Sequence, residues 1–112
     1  MNSILFVEIT DYINRNLNNI SISQLSGEFH FQEDYFNRLL KSQTGLTYTE
    51  YVQSLRLKKA KMLLLTTNLT VDSIAREVGY QNKGYFYKIF TERYRLTPAQ
   101  LRKKNKRNGS IL

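Results

Sequence analysis

Asp34, Asn37, Arg38 and Lys41 fall at i, i+3, i+4 and i+7, one continuous stripe of a helix, opposite Phe36 and Leu40. About fifty residues later the same offsets carry Gly84, Tyr87, Lys88 and Thr91. Any surface helix has a polar face, so it is the residue types that narrow the chemistry. An arginine suits guanine O6 and N7, an asparagine suits adenine, and a lysine reaches guanine or a phosphate; Arg38, Asn37 and Lys88 fit these roles. Gly84 lets backbone approach closely. Tyr87 offers a ring to a thymine methyl and a hydroxyl to a phosphate. Asp34 has two readings. With Glu33 it stabilises the positive end of a helix, an effect of about 0.3–1 kcal/mol; alternatively it accepts a bond from a cytosine amino group.

Other chemistries find few residues. The chain has no cysteine, which excludes disulfides, thiolate metal sites and thiol catalysis. One histidine leaves no zinc site, and neither metal nor cofactor is expected. His30 falls in a turn with no carboxylate pair nearby, so it reads as a turn residue and not a catalyst. A strand followed by a GxxxxGK phosphate loop is absent from the sequence. Seventeen Lys and Arg against nine Asp and Glu give a formal charge of +8 on 112 residues, which favours an anionic partner. No apolar run approaches the roughly 18 residues of a membrane span. The opening MNSILFVEITDY lacks a basic n-region and does not read as a signal peptide. A cytoplasmic protein with no membrane partner is the default expectation.

The elements that would position the stripes are all helical. Ser3 to Leu17 forms a first helix, with Ile4, Leu5, Val7, Ile9, Tyr12, Ile13 and Leu17 as its apolar positions and Val7 the ambiguous one. Ser21 or Ser23 caps a second through Glu28, with Ile22, Leu25 and Phe29 inward. The third runs from about Glu33 to Gln43 and stops at Gly45. Thr47 to Thr66, free of Gly and Pro, is the longest. At 1.5 Å per residue it makes a rod of roughly 30 Å. Thr70 caps a fifth helix from Val71 to Val78, closed by Gly79, and a sixth spans about Lys83 to Arg93. Pro98 opens a last one, where its missing N–H is harmless. The basic run Arg102 to Arg107 reads either as a solvated end or as a contributor of DNA backbone contacts, and Asn108 to Leu112 as frayed. The expected class is all-α, with about seven helices. Residues 1–46 hold a first helix pair, 47–66 a linker helix and 67–112 a second pair.

The two halves repeat. Leu25 matches Ile74, Phe29 matches Val78 and Gln32 matches Gln81. After a one-residue insertion, Tyr35-Phe36 matches Tyr85-Phe86, Arg38 matches Lys88, Leu39-Leu40 matches Ile89-Phe90 and Leu46-Thr47 matches Leu96-Thr97. A short helix, a turn and a longer helix is the helix-turn-helix arrangement, whose second helix enters a major groove. A rod of about 30 Å would hold two such heads about one duplex turn, roughly 34 Å, apart.

The chain resembles the C-terminal DNA-binding domain of the AraC/XylS (arabinose-regulator) family. The resemblance is carried by RLKKAKMLLLTTNLTVDSIAREVGYQNKGYFYKIFTERYRLTP, Arg56 to Pro98, and by Leu25, Tyr35, Phe36, Arg38, Lys41, Gly45 and Thr47 in the first copy; it covers about residues 5 to 103. It implies seven helices, two helix-turn-helix subdomains joined by a long helix, and regulation of bacterial transcription on double-stranded DNA. Base contacts carry over to Asp34, Asn37 and Arg38 in the first recognition helix and to Lys83, Gly84, Tyr87 and Lys88 in the second. Backbone contacts are expected from Lys41, Tyr35, Tyr85, Arg56 and Thr91. The chain departs from the pattern where Gly84 stands for a usual Ser, Arg95 for a Gly, Thr91 for a common Lys and Tyr48 for a frequent Pro. Arg95 must then cap differently or strain a non-Gly residue. These changes suggest weaker or altered DNA contact by the second unit.

The leading expectation is a sequence-specific transcription regulator. The alternative is a non-enzymatic interaction module of the transcription machinery, with RNA polymerase as a candidate partner. An enzyme is disfavoured, and the alkyl-accepting cysteine chemistry joined to some relatives has no cysteine here. Relatives usually carry a sensor domain, so the sequence reads as a stand-alone regulator or as part of a larger one. This chain is expected to be monomeric, with dimerisation through a sensor domain where one exists.

Overall fold

The computed structural model describes residues 2–107, with side chains from Ile4 to Lys106. Asn108 to Leu112, read above as frayed, lie outside the described residues. Seven helices follow in order, and the described residues contain no strand: α1 (Asn2–Arg15), α2 (Ile22–Phe29), α3 (Glu33–Thr44), α4 (Tyr48–Thr66), α5 (Val71–Glu77), α6 (Lys83–Tyr94) and α7 (Pro98–Arg107). The chain divides into two compact units at Arg56/Leu57, inside α4.

The first unit is built on Ile9, Ile13, Leu17, Leu25, Phe36, Leu40 and Val52, all buried. In α1 the buried face is set by Ile9 and Ile13, four residues apart, with Leu5, Phe6 and Tyr12 flanking them. Ile4 and Val7 fall out of this phase and are 70% and 62% exposed, so the apolar stripe expected in α1 is narrower than the composition implied. Ser21 is the N-cap of α2, its hydroxyl accepting the Gln24 N–H at 3.1 Å. The helix ends on His30 in the left-handed conformation, φ 61°, which makes this residue the turn it was read as. Gly45, φ 80°, closes α3 with its N–H on Lys41 O.

The second unit has its own core of Leu57, Ala60, Leu64, Ile74, Val78, Phe86 and Phe90. Thr70 caps α5, and Asn82 caps α6 by accepting the Tyr85 N–H at 2.9 Å. After α5, Tyr80 N–H bonds Ala75 O and Gly79 N–H bonds Arg76 O, with Gly79 at φ 109°; this paired closure needs a left-handed residue, and glycine supplies it cheaply. Arg95 closes α6 at φ 62° with its N–H on Thr91 O. Where Gly45 ends α3 without cost, the same geometry is imposed here on a residue with a Cβ. The α4 residues serve both units, Tyr48 and Val52 in the first core, Leu57, Ala60 and Leu64 in the second.

Candidate nucleic-acid interface

In the first unit, α3 buries Phe36, Leu39 and Leu40 and turns its opposite face outward. That face, with the residues leading into α4, forms a shallow groove of about 510 Å³ lined by Asn37, Arg38, Lys41, Ser42 and Thr47. In the second unit, α6 buries Phe86, Ile89 and Phe90. Its outward face forms a groove of about 600 Å³ lined by Gly84, Tyr87, Lys88, Thr91, Glu92, Arg95 and Thr97. The five positions lining the first groove all recur fifty residues later in the second. Ser42, Thr47, Glu92, Arg95 and Thr97 were not assigned as DNA contacts from the sequence, although the repeat that aligned Arg38 with Lys88 also paired Thr47 with Thr97.

Three cations on the two helices, Arg38, Lys83 and Lys88, are paired with neighbouring acids. Arg38 Nε lies 3.2 Å from Asp34 Oδ2, one helical turn away, with both side chains about three-quarters exposed. Lys88 Nζ lies 3.3 Å from Glu92 Oε2, and Lys83 Nζ 3.4 Å from Asp72 Oδ2. Such exposed pairs contribute about 0–1 kcal/mol each and are readily exchanged for a stronger anion. The N-cap of α3, Gln32, makes no side-chain cap hydrogen bond, and Glu33 and Asp34 in the first turn lie at the positive end of the dipole. Asp34 therefore has a helix-stabilising position and an arginine to orient.

Asn37 is engaged differently. Its Oδ1 accepts the backbone N–H of Tyr48 at 2.8 Å. That N–H belongs to the first residue of α4, where the helix itself supplies no acceptor. Bidentate pairing of Asn37 with adenine needs this oxygen as well as the amide nitrogen. The corresponding pair in the second unit is Tyr87 and Pro98, and Pro98 has no N–H to satisfy. Tyr87 is half-buried, packing edge-on to Phe86 at 6.2 Å between centroids. The departure at Tyr48 and the amide at Asn37 are thus two halves of one arrangement.

The remaining expected contacts divide. Lys41 and Thr91 line the grooves. Tyr35 and Tyr85 sit near the start of α3 and α6: Tyr35 stacks on Phe31 at 4.2 Å, and Tyr85 lies 6.0 Å from Tyr80 and is exposed. Arg56 belongs to neither groove. It is half-buried on α4, and its Nε donates to Leu17 O at 3.0 Å. Arg102, read from the sequence as the start of a basic tail, donates to Leu64 O, Leu69 O and Thr67 O at 3.0, 2.7 and 3.1 Å. It fastens α7 to the end of α4, a structural task that charge patterning could not separate from a solvated run. Among the described residues no cluster of His, Cys, Asp and Glu could hold a metal ion, and no helix is long and apolar enough to cross a membrane.

A family model described as a helix-turn-helix domain matches residues 25–104. The chain is 33% identical over 99 residues to the bifunctional transcriptional activator/DNA repair enzyme AdaA of Bacillus subtilis, covering 88% of this chain and 47% of that protein. The C-terminal domain of the two-component response regulator yesN from Fusobacterium nucleatum superposes with a TM-score of 0.81 at 31% identity, covering 91% of this chain and 99% of that one. The DNA-binding domain of AdpA, solved with a target DNA, shares the fold with a TM-score of 0.85 at 20% identity, over 91% and 93% of the two chains. The chain spans about a third to a half of the length of the curated relatives it matches first.

Proposed function

This chain belongs to the AraC/XylS-type helix-turn-helix family of sequence-specific DNA-binding transcription regulators, and from that premise we propose that it reads double-stranded DNA with both α3 and α6, each laid in its own major-groove segment. The observation that carries this reading is the recurrence of all five positions of the α3 groove in the α6 groove. A single polar helix face is commonplace, whereas two equivalent grooves each centred on a cation, Arg38 and Lys88, point to one task performed twice. Arg38, released from Asp34, reaches guanine O6 and N7, and Asp34 is left to accept from a cytosine amino group. Lys83, Gly84, Tyr87 and Lys88 make the second set of base contacts, while Lys41, Thr91, Tyr35 and Tyr85 meet phosphates. Asn37, its oxygen occupied, offers base edges only its amide N–H groups in this conformation. The chain acts without catalysis, in the cytoplasm and as a monomer on an asymmetric site.

Selection of bound duplexes from a random pool, followed by anisotropy titration at two salt concentrations, tests this. The recovered sequence should hold two boxes about one helical turn, roughly 34 Å, apart. Arg38→Ala should cost about 1–3 kcal/mol on the selected site and little on random DNA, and Lys88→Ala should also weaken the site. Equal losses on both DNAs would remove Arg38 from base reading. A flat dependence of affinity on salt would remove DNA altogether.

A further inference from the structure

The second unit carries another basic groove that the DNA reading does not use. Lys58, Lys61, Met62 and Leu65 fall at i, i+3, i+4 and i+7 on α4, a stripe distinct from the buried positions Leu57, Ala60 and Leu64. With Arg93 and Tyr94 at the end of α6 they line a groove of about 530 Å³. None of these residues lines the α6 reading groove. Arg93 follows Gly84 by nine residues, about two and a half turns, and so emerges on the opposite side of α6.

The composition of the groove defines its occupant. Lys61 Nζ sits 5.0 Å from the centre of the Tyr94 ring, and neither Lys58 nor Lys61 has an acidic partner among the described residues. Two of the three acids in the described part of this unit, Asp72 and Glu92, are already paired with Lys83 and Lys88 on α6. The groove is therefore strongly electropositive, yet its floor is apolar: Met62 is 50% exposed and Leu65 is half-buried. A phosphate backbone would use the cations but gain nothing from a thioether and an isobutyl group. A protein segment with carboxylates flanking Leu, Met or Phe would use both, and an exposed methionine is well suited to packing against varied apolar side chains.

We propose that this groove is a docking site for an acidic amphipathic segment of a protein partner, available while α6 reads DNA. It stands independently of the base-contact assignments. The probe is a fluorescein-labelled synthetic helix with Leu at i, i+4 and i+7 and Glu between them. Its controls carry Gln for every Glu, or Ser for every Leu. The acidic, Leu-bearing peptide should bind the full chain at least roughly tenfold more tightly than either control, with or without duplex DNA present. Met62→Ser, a change at a half-exposed position that leaves net charge unaltered, should weaken peptide binding several-fold and leave DNA affinity unchanged. Lys58→Gln with Lys61→Gln should abolish the preference for Glu over Gln. Equal binding of all three peptides overturns the proposal. So does a drop of about two in the DNA salt slope for the double lysine variant, since each lost phosphate contact lowers it by about one; those lysines would then be DNA contacts.

Discussion

At Tyr48 the backbone and the side chain give opposite results. Its N–H is satisfied by Asn37 Oδ1, but its hydroxyl is buried with no hydrogen-bond partner among the described residues. Burial pushes the phenol up to about 12 from 10.0, partly offset by the nearby Arg56 guanidinium. The folded state thus holds this proton more tightly than the unfolded chain, so the stability is whole below pH 10 and is lost as pH rises towards 12. Tyr48→Phe should raise stability by about 1 kcal/mol at neutral pH and remove that alkaline loss, read by denaturant melts at pH 7 and pH 11. An unchanged alkaline limb would place the titration elsewhere. For the N–H, Asn37→Ala should cost about 1–2 kcal/mol in the natural chain and almost nothing beside Tyr48→Pro, which deletes the donor. If the two changes add without coupling, the Asn37–Tyr48 bond is not what holds the start of α4. The sequence showed Asn37 on the recognition face and Tyr48 in place of a Pro. It could not show that one answers the other, because their link spans eleven residues and depends on where α3 delivers the amide.

Helix ends are where the two units differ most informatively. The helix after each recognition helix begins with the same reciprocal box. Thr47 N–H donates to Glu50 Oε1 at 3.0 Å and Glu50 N–H to Thr47 Oγ1 at 3.3 Å; Thr97 and Gln100 repeat this at 2.9 and 3.1 Å. Only the first box titrates. The Thr47 backbone bond, then its hydroxyl, hold the Glu50 carboxyl below its ordinary 4.5. A depressed carboxylate contributes stability above pH 4.5 and loses it as pH falls through the lower folded value. Amide protection at Thr47, measured against its intrinsic exchange rate, should therefore fall on acidification below pH 4.5, protection at Thr97 should not, and Glu50→Gln should make the two alike. At the other end, Arg95→Gly relieves about 1–2 kcal/mol of left-handed strain and gives back roughly 0.5–1 in unfolded-chain freedom, a net gain of up to about 1.5 kcal/mol in a thermal melt. A loss would mean that the Arg95 side chain is worth more than its backbone costs. All seven helices were legible, and each boundary read from the sequence fell within about two residues of the observed one, because Ser21, Gly45, Thr70, Gly79 and Pro98 mark ends by local chemistry. What stayed hidden was the phase of α1, where Ile4 looks like a core residue and Val7 stays ambiguous until Ile9 and Ile13 fix the face.

At the scale of the molecule, the buried residues form two clusters with no member in common, although one helix contributes to both. Each cluster has an arginine reaching from a later helix to carbonyls at or just beyond the end of an earlier one: Arg56 to Leu17, and Arg102 to Leu64, Thr67 and Leu69. The Arg102 bonds cross more than thirty residues of chain, so no periodicity in the sequence announces them. They also close the loop that leads into α5, whose Ile74 and Ala75 sit in the second core. Arg102→Ala leaves the carbonyls at the end of α4 without their charged donor, and about 2–3 kcal/mol should be lost. The loss should fall on one unit. Amide protection at Leu64, Ile74 and Phe90 should decline, while protection at Ile13, Phe36 and Leu40 should hold, because none of the latter packs in the cluster that Arg102 fastens. Lys103→Ala, one residue on and exposed, is the control for lost charge and should change neither set. If protection falls equally across both clusters, α4 transmits the damage and the chain unfolds as a single cooperative body. If it falls only in the second, DNA binding by Arg102→Ala should retain the contacts of Arg38 and lose those of Lys88, so that a footprint shrinks from two boxes to one.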